Sequence, residues 1–325
     1  MPKQPEISIL VPCCNVEKYV GECLDSILSQ TLKDIEIICL DDGSKDGTAE
    51  ILNKYASEDP RIKVISKPNT GYGDTMNIGL EKASGKYIGI IESDDWIEKD
   101  MFERLYNEAV KYNLDCTRCL FEQFNEITGA RRVVTGTTVR RAGMDKVFNP
   151  ADNPAIFFIP PSIWAGLYKS SFLKDNGIRF LPTPGASYQD TSFAFKVYSM
   201  AKRVKVITKP LHHYRINTNS SVSSPGKIFC VCDEMQEIVR YTKEKGVYER
   251  LKGIIAYKWY GTYKWNYKRL PDMALKRQFI NRWSCEAKDM FRDGAITRER
   301  FSPGRRLRLW FIANHPSVFR YKKRF

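Results

Sequence analysis

The sequence predicts an α/β fold, a mostly parallel sheet flanked by helices, followed by a helical C-terminal region. Three observations carry that prediction. Over roughly the first hundred residues short apolar runs alternate with segments of helical period, each run ends in polar or acidic residues, and beyond Ile228 the pattern turns helical and aromatic. Apolar strands separated by helices indicate a parallel sheet covered on both faces, with right-handed crossovers.

The elements follow in order. ISILV (7–11) reads as the first strand. A helix from about Tyr19 to Gln30 places Val20, Cys23, Leu24, Ile27 and Leu28 on one face. IEIICL (35–40) is the second strand, and Thr48 to Tyr55 a short helix entered through Asp46 and Gly47. IKVIS (62–66) is the third strand, before a helix from Thr75 to Ala83. YIGII (87–91) is the fourth, before a helix from about Lys99 to Tyr112.

The bulk properties exclude several classes. At 325 residues and 42% hydrophobic composition the chain has ample core, and disorder is not the reading. No apolar stretch approaches the ~20 residues of a membrane-spanning helix. MPKQPEISILVP lacks the features of a secretory signal, so a cytoplasmic location is expected. Nine cysteines are an odd number, and Cys23 and Cys39 sit inside apolar runs as reduced thiols do. Cys116 and Cys119 (C-x-x-C) and Cys230 and Cys232 (C-x-C) lack the further ligands of a zinc site and read as packing.

In parallel sheets ligands bind beyond the carboxyl ends of the strands. Those ends carry PCCNVEKY, DDGSKDGT, KPNTGYGD and ESDDW. No G-x-G-x-x-G follows the first strand and no G-x-x-x-x-G-K-[ST] occurs, so a phosphate cradle built on backbone amides is not expected. Bare carboxylates repel a diphosphate, but a divalent cation between them inverts the sign. An acid at a strand end, such as Asp41 or Asp42, also suits a ribose hydroxyl or a base N–H.

Taken together, Pro12, Asn15, Glu17 and Tyr19, the DDGSKDGT stretch, the N-x-G-x-G-x-x-x-N-x-G run from Asn69 to Gly79, and ESDDW resemble the nucleotide-sugar domain of family 2 glycosyltransferases. The likeness covers about the first 120 residues and continues more loosely to Asn219 through IWAGLYKSSFLKDNGIRF (163–180), SYQDTSF (187–193) and LHHYRINTNS (211–220). It implies a GT-A type, Rossmann-like sheet and transfer of a sugar from a nucleotide donor, UDP-linked, with inversion at the anomeric carbon. Acceptors are then a glycan or lipid-linked glycan of a surface polysaccharide or lipopolysaccharide.

The resemblance assigns roles residue by residue. Asp190 stands where the family carries its catalytic base. Asp41, with Asp42 beside it, would meet the uracil or ribose. Glu92 and Asp94 occupy the D-x-D positions, Glu92 with Ser93 toward the donor and Asp94 with Asp95 toward Mn²⁺ or Mg²⁺. Pro12, Asn15, Glu17, Gly71 and Asn77 fall in the donor-binding motifs, and Arg215 would meet the diphosphate. Glu92 stands where Asp is commoner, Gln189 replaces a Glu before the base, and Met76 replaces a frequent Arg. Read alone, DDGS is often only a turn, Asp-Thr-Ser at 190–192 an N-cap, and Asn15 and Glu17 helix caps.

The domain expectation is 1–222 for the transferase domain, 223–296 for a helical, aromatic-rich region and 297–325 for a basic tail. Tyr260, Tyr263 and Tyr267 follow helical spacing and read as a packed face, with stacking on acceptor sugars as the other use of these rings. Of the net charge of +14, the residues from Thr297 to Phe325 hold nine Lys or Arg against one Glu, with LWFI among the arginines. Such a segment suits an anionic membrane surface, which places the protein peripherally on the inner face of the cell membrane, or a solvated tail. A basic chain with aromatics also raises a nucleic-acid- or membrane-binding protein without transferase activity, but no RNA-binding signature occurs and nucleic acid is not expected as a partner. A nucleotidyltransferase would want a basic glycine-rich loop where PCCNVEKY stands.

Overall fold

The computed structural model describes residues 4–216 and 227–319. The chain divides into two compact units, Met1–Ser220 and Ser221–Phe325. The expected boundary at 222/223 and the last residues of LHHYRINTNS (217–220) lie outside the described residues.

The first unit opens with β1 (Ile7–Cys13), α1 (Val20–Leu28), β2 (Ile35–Asp42), α2 (Thr48–Glu58), β3 (Ile62–Lys67), α3 (Tyr72–Lys82) and β4 (Tyr87–Ile90). β5 (Trp96–Ile97), α4 (Met101–Lys111), β6 (Cys116–Asn125), β7 (Arg131–Val134) and α5 (Gly136–Arg141) follow. β8 (Gly166–Lys169), α6 (Ser170–Asp175), α7 (Gln189–Met200) and β9 (Val204–Ile216) complete it. The sheet runs β3-β2-β1-β4-β8-β6-β9-β5, with β7 paired to β6. β1 to β4 are mutually parallel, as the alternation predicts. The second half differs, because β8 inserts antiparallel between β4 and β6.

Burial explains the first elements. β1 and β2 are buried along their whole length, and α1 turns Val20, Cys23, Leu24 and Ile27 inward at helical spacing. The strand order reverses between β1 and β4, the switch point at which ligands bind in open α/β sheets. Pro12 lies beyond the last β1–β4 pair, Leu10↔Ile90, and its missing N–H therefore costs no ladder bond on that side. Cys116 and Cys119 are buried in β6.

At the opposite end of the sheet Glu36 is 5% exposed and accepts from Ser84 N at 2.7 Å, Ser84 Oγ at 2.8 Å, Lys63 Nζ at 2.6 Å and Ser8 Oγ. Burial works to raise its carboxyl, but these bonds outweigh burial and hold it at about 2 against an ordinary 4.5. A carboxyl depressed in the folded state stabilises fully above its unfolded value and loses that contribution as pH falls toward the folded one. Glu36→Gln is therefore expected to cost about 1–3 kcal/mol in urea unfolding at neutral pH. The deficit should shrink as pH is lowered from 4.5 toward 2, and one independent of pH would refute the assignment.

The second unit contains α8 (Cys230–Glu244), α9 (Tyr248–Arg269), α10 (Met273–Arg292) and α11 (Pro303–Asn314). Its core is aromatic. Trp259, Tyr263, Phe279 and Trp283 are buried, and Tyr263 lies 5.3 Å from Phe279 and 5.8 Å from Trp283 between ring centroids. Tyr260 and Tyr267 are buried too, so the face read at helical spacing is a packed one. Glu286, also buried, accepts from Trp259 Nε1 at 3.1 Å, Arg282 Nε at 2.5 Å and the Tyr263 hydroxyl. Residues from Thr297 to Phe319 belong to this unit rather than standing apart as a tail, since Phe301, Leu309 and Ile312 are buried, while 320–325 lie outside the described residues. No helix among the described residues is long and apolar enough to cross a membrane.

Candidate active site

The loops after β1 and β2 are tied together before they can hold anything else. Asn15 adopts φ +54°, a left-handed conformation that Asn tolerates better than most residues. Its N–H donates to Ser44 Oγ at 3.0 Å, and its Oδ1 accepts from Lys45 N at 2.8 Å. Glu17 accepts from Gly47 N at 2.6 Å, while Asp46 accepts from Glu17 N at 3.1 Å and from Thr48. Asn15 and Glu17 thus clamp the neighbouring loop rather than capping α1. The clamped loops wall a cleft of about 570 Å³, lined among others by Asn15, Glu17, Tyr19, Asp46, Asp94 and Glu126.

The two strand-end aspartates of β2 differ. Asp41 is 4% exposed and its Oδ1 accepts from Ser44 N at 3.0 Å. Asp42 accepts from Lys67 Nζ at 2.5 Å, Thr70 N at 2.9 Å and Gly71 N at 3.0 Å, which pins the loop after β3. Burial pushes Asp42 upward, but Lys67 and the two amides prevail and hold it below the usual carboxylate range.

The glycines of the third motif serve close packing. Gly71 has φ +99°, which a side chain would strain, and a Cβ at Gly73 would fall 2.0 Å from the Leu181 carbonyl oxygen. Residues 181–185 cross the start of α3 here, with Tyr72 N donating to Gly185 O at 3.0 Å. Asn77 was expected among the donor-binding residues. It grips the Phe180 backbone, Nδ2 donating to its carbonyl at 3.0 Å and Oδ1 accepting its N–H at 2.9 Å. Gly73→Ala should cost about 1–3 kcal/mol through backbone displacement, read as a lower urea midpoint. An unchanged midpoint would show that the segment shifts freely.

That crossing segment leads to Asp190. Gln189 is buried, its Oε1 accepting from Ser187 N at 2.5 Å while its Nε2 donates to Thr183 Oγ1 at 3.0 Å and Gly185 O at 3.1 Å. A glutamate could not make the last two donations, so the departure at 189 is an amide organising the loop. Asp190 then opens α7, whose Phe193 stacks on Phe180 at 4.1 Å, and Phe180 meets Tyr72 edge-on at 5.8 Å.

ESDDW forms a turn in which Asp95 N donates to Glu92 O at 3.1 Å, so neighbouring acids face different ways. Glu92 accepts from the Tyr72 hydroxyl at 2.7 Å. Burial, with the charges of Asp94 and Asp190, pushes Glu92 up to about 8 despite that bond. Burial also pushes Tyr214 up to about 12, with the charges of Asp95, Asp94, Glu92 and Asp190 acting in the same direction. Glu92, Asp94 and Asp190 therefore lie within electrostatic reach of one another and of Tyr214, and Tyr72 bonds Glu92 directly; sequence reasoning missed both tyrosines. The only signal for Tyr72 was an aromatic between two close-packed glycines.

Asp95 and Arg215 depart from expectation. Asp95 was expected beside Asp94 at a metal, but it is 1% exposed and points inward. Its Oδ1 accepts from Arg215 N at 2.8 Å and its Oδ2 meets His212 Nε2 at 2.8 Å. Burial lowers His212 well below its ordinary value and raises Asp95 well above its own, so this buried pair is held by one shared hydrogen bond. Arg215 was expected at the diphosphate, yet its Nε donates to the Asp94 carbonyl at 2.9 Å and its Nη2 to Glu22 at 2.5 Å. Tyr19 and Trp96 rings lie 4.9 and 4.6 Å from the guanidinium carbon. Arg215 thus holds the turn that presents Asp94. Ser93 is buried beside Cys13.

A hard divalent cation suits this donor set. Asp94 is half-buried on the cleft, and burial and like charge push Glu92 up to about 8, a shift that a nearby cation would oppose. Among the described residues no three His, Cys, Asp or Glu side chains form a metal cage.

The likenesses to known proteins agree with this architecture. The chain is 34% identical over 234 residues to the uncharacterized glycosyltransferase EpsJ of Bacillus subtilis, covering 69% of this chain and 64% of that protein. It is 35% identical over 227 residues to the glycosyltransferase GlyA of Streptococcus pneumoniae, covering 66% of this chain and 31% of that protein. The chain thus spans less than two thirds of the length of these curated relatives. The crystal structure of S. aureus TarS 1-349 in complex with UDP-GlcNAc superposes with a TM-score of 0.71 over 97% of this chain and 93% of that one, at 19% identity. The fold is accordingly of the GT-A type. The model of the family described as glycosyl transferase family 2 matches residues 8–172, about half of the chain, and the protein belongs to that family.

Proposed function

We propose that this protein transfers a sugar from a nucleotide-sugar donor, UDP-linked, to a hydroxyl of a glycan or lipid-linked acceptor in surface polysaccharide synthesis, with inversion at the anomeric carbon. The observation that carries this reading is that Asp94 and Asp190 both act electrostatically on Glu92, with Glu92 and Asp94 just past the end of β4 and Asp94 on the clamped cleft. The UDP-GlcNAc complex of S. aureus TarS, a protein of similar fold, supports a uridine diphosphate donor.

Asp94 and Glu92 are the residues to hold Mn²⁺ or Mg²⁺, with Asp95 and Arg215 fixing the turn behind them. A bound cation would supply charge for the diphosphate that departs. Asp190 takes the proton of the acceptor hydroxyl as its oxygen bonds to the anomeric carbon and the bond to the diphosphate breaks. Asp41, near the end of β2, is the candidate for the ribose or base.

Incubating the protein with a panel of UDP-sugars and Mn²⁺, with and without short glycan acceptors, tests the reading. Acceptor-stimulated release of UDP from one donor is the expected result. No release from any donor, with affinity for nucleic acid that falls steeply with salt, would favour the non-enzymatic alternative.

A further inference from the structure

The C-terminal helix of the second unit has two apolar faces, and only one is covered. Leu309, Ile312 and Ala313 are at most 1% exposed, and Ser284 Oγ on α10 donates to the Ala313 carbonyl at 2.9 Å. On the other side Leu307 is 57%, Trp310 45% and Phe311 37% exposed, an i, i+3, i+4 stripe. Trp310 lies 5.2 Å from Phe311 and 5.4 Å from His315 between ring centroids, so the aromatic part is one cluster. An exposed stripe of this kind marks an interaction surface.

Charge decides what covers it. Helical geometry puts Arg306 and Arg308 on the two flanks of the stripe. From Thr297 to Phe325 the chain carries nine Lys or Arg against one Glu. A second copy docking the same face would bring two such arginine borders together, and like charges repel. An anionic lipid surface instead takes both features at once, apolar side chains at the acyl boundary and arginines at the headgroups. We infer that Leu307, Trp310 and Phe311, bordered by Arg306 and Arg308, seat this chain on an anionic membrane surface.

The test uses the full chain and vesicles of phosphatidylcholine, alone or with phosphatidylglycerol. Partitioning should be about tenfold stronger with phosphatidylglycerol, weaken with salt, and fall about tenfold in Leu307→Ser/Trp310→Ser/Phe311→Ser. Thermal midpoint and UDP affinity of that variant should be unchanged. Should it fail to fold, brominated phosphatidylcholine in the anionic vesicles gives a second reading, since it should quench wild-type tryptophan emission more than that of Trp310→Phe. Equal partitioning to neutral and anionic vesicles, or equal quenching in the two proteins, would overturn the inference. So would a wild-type dimer that the triple variant converts to monomer, because a second copy would then be the occupant.

Discussion

Asp190→Asn is expected to lower turnover by about 10²–10⁴-fold while leaving UDP affinity little changed. The substitution keeps the size of the side chain and an oxygen able to accept from Thr191 Oγ1, which lies 3.3 Å away. α7 is buried around Phe193, Phe195 and Val197, so its first turn should stay in place. What is lost is the ability to take a proton from the acceptor. Steady-state rates with saturating donor, set beside a UDP titration of the same variant, separate the two quantities. Donor affinity that falls in parallel with rate would make Asp190 part of the donor site instead.

Asp94→Ala should have the complementary effect, weakening UDP binding in the presence of Mn²⁺ at least about tenfold while leaving the fold intact. Asp94 is half-buried on the cleft, and the turn that carries it is held through backbone atoms by Arg215. Asp95→Ala is the control for neighbourhood alone. Removing that buried carboxyl group leaves the Arg215 N–H without its acceptor and the His212 ring without its partner, so it should act on stability rather than on metal-dependent binding. Equal loss of metal-dependent binding in both variants would show that presentation of the turn, not the Asp94 carboxylate, limits affinity.

The sheet was legible because four apolar runs ended in polar or acidic residues, and β1 to β4 lie where those runs predict. Short-range pattern failed where a partner is remote in sequence. The antiparallel β8 pairs with β4 and β6, and no local period announces its direction. α3 begins at Tyr72 rather than Thr75, because Gly71 and Gly73 look like a loop and are there to admit residues 181–185. Asp94 and Asp95 are indistinguishable as letters, and only the packing of β9 against the turn decides which one faces the cleft. The same contact turned Arg215 from an expected phosphate ligand into a brace. In the second unit Tyr260, Tyr263 and Tyr267 were readable as core from spacing, while the covered and uncovered faces of α11 were not, since both are apolar.

The most direct measurement is a calorimetric titration of UDP into the wild-type protein, first with Mn²⁺ and then with excess chelator. The account predicts saturable binding with the metal and its loss to the chelator. Binding of equal strength under both conditions, or none under either, would contradict a cation-dependent nucleotide site at the ends of β1 and β4.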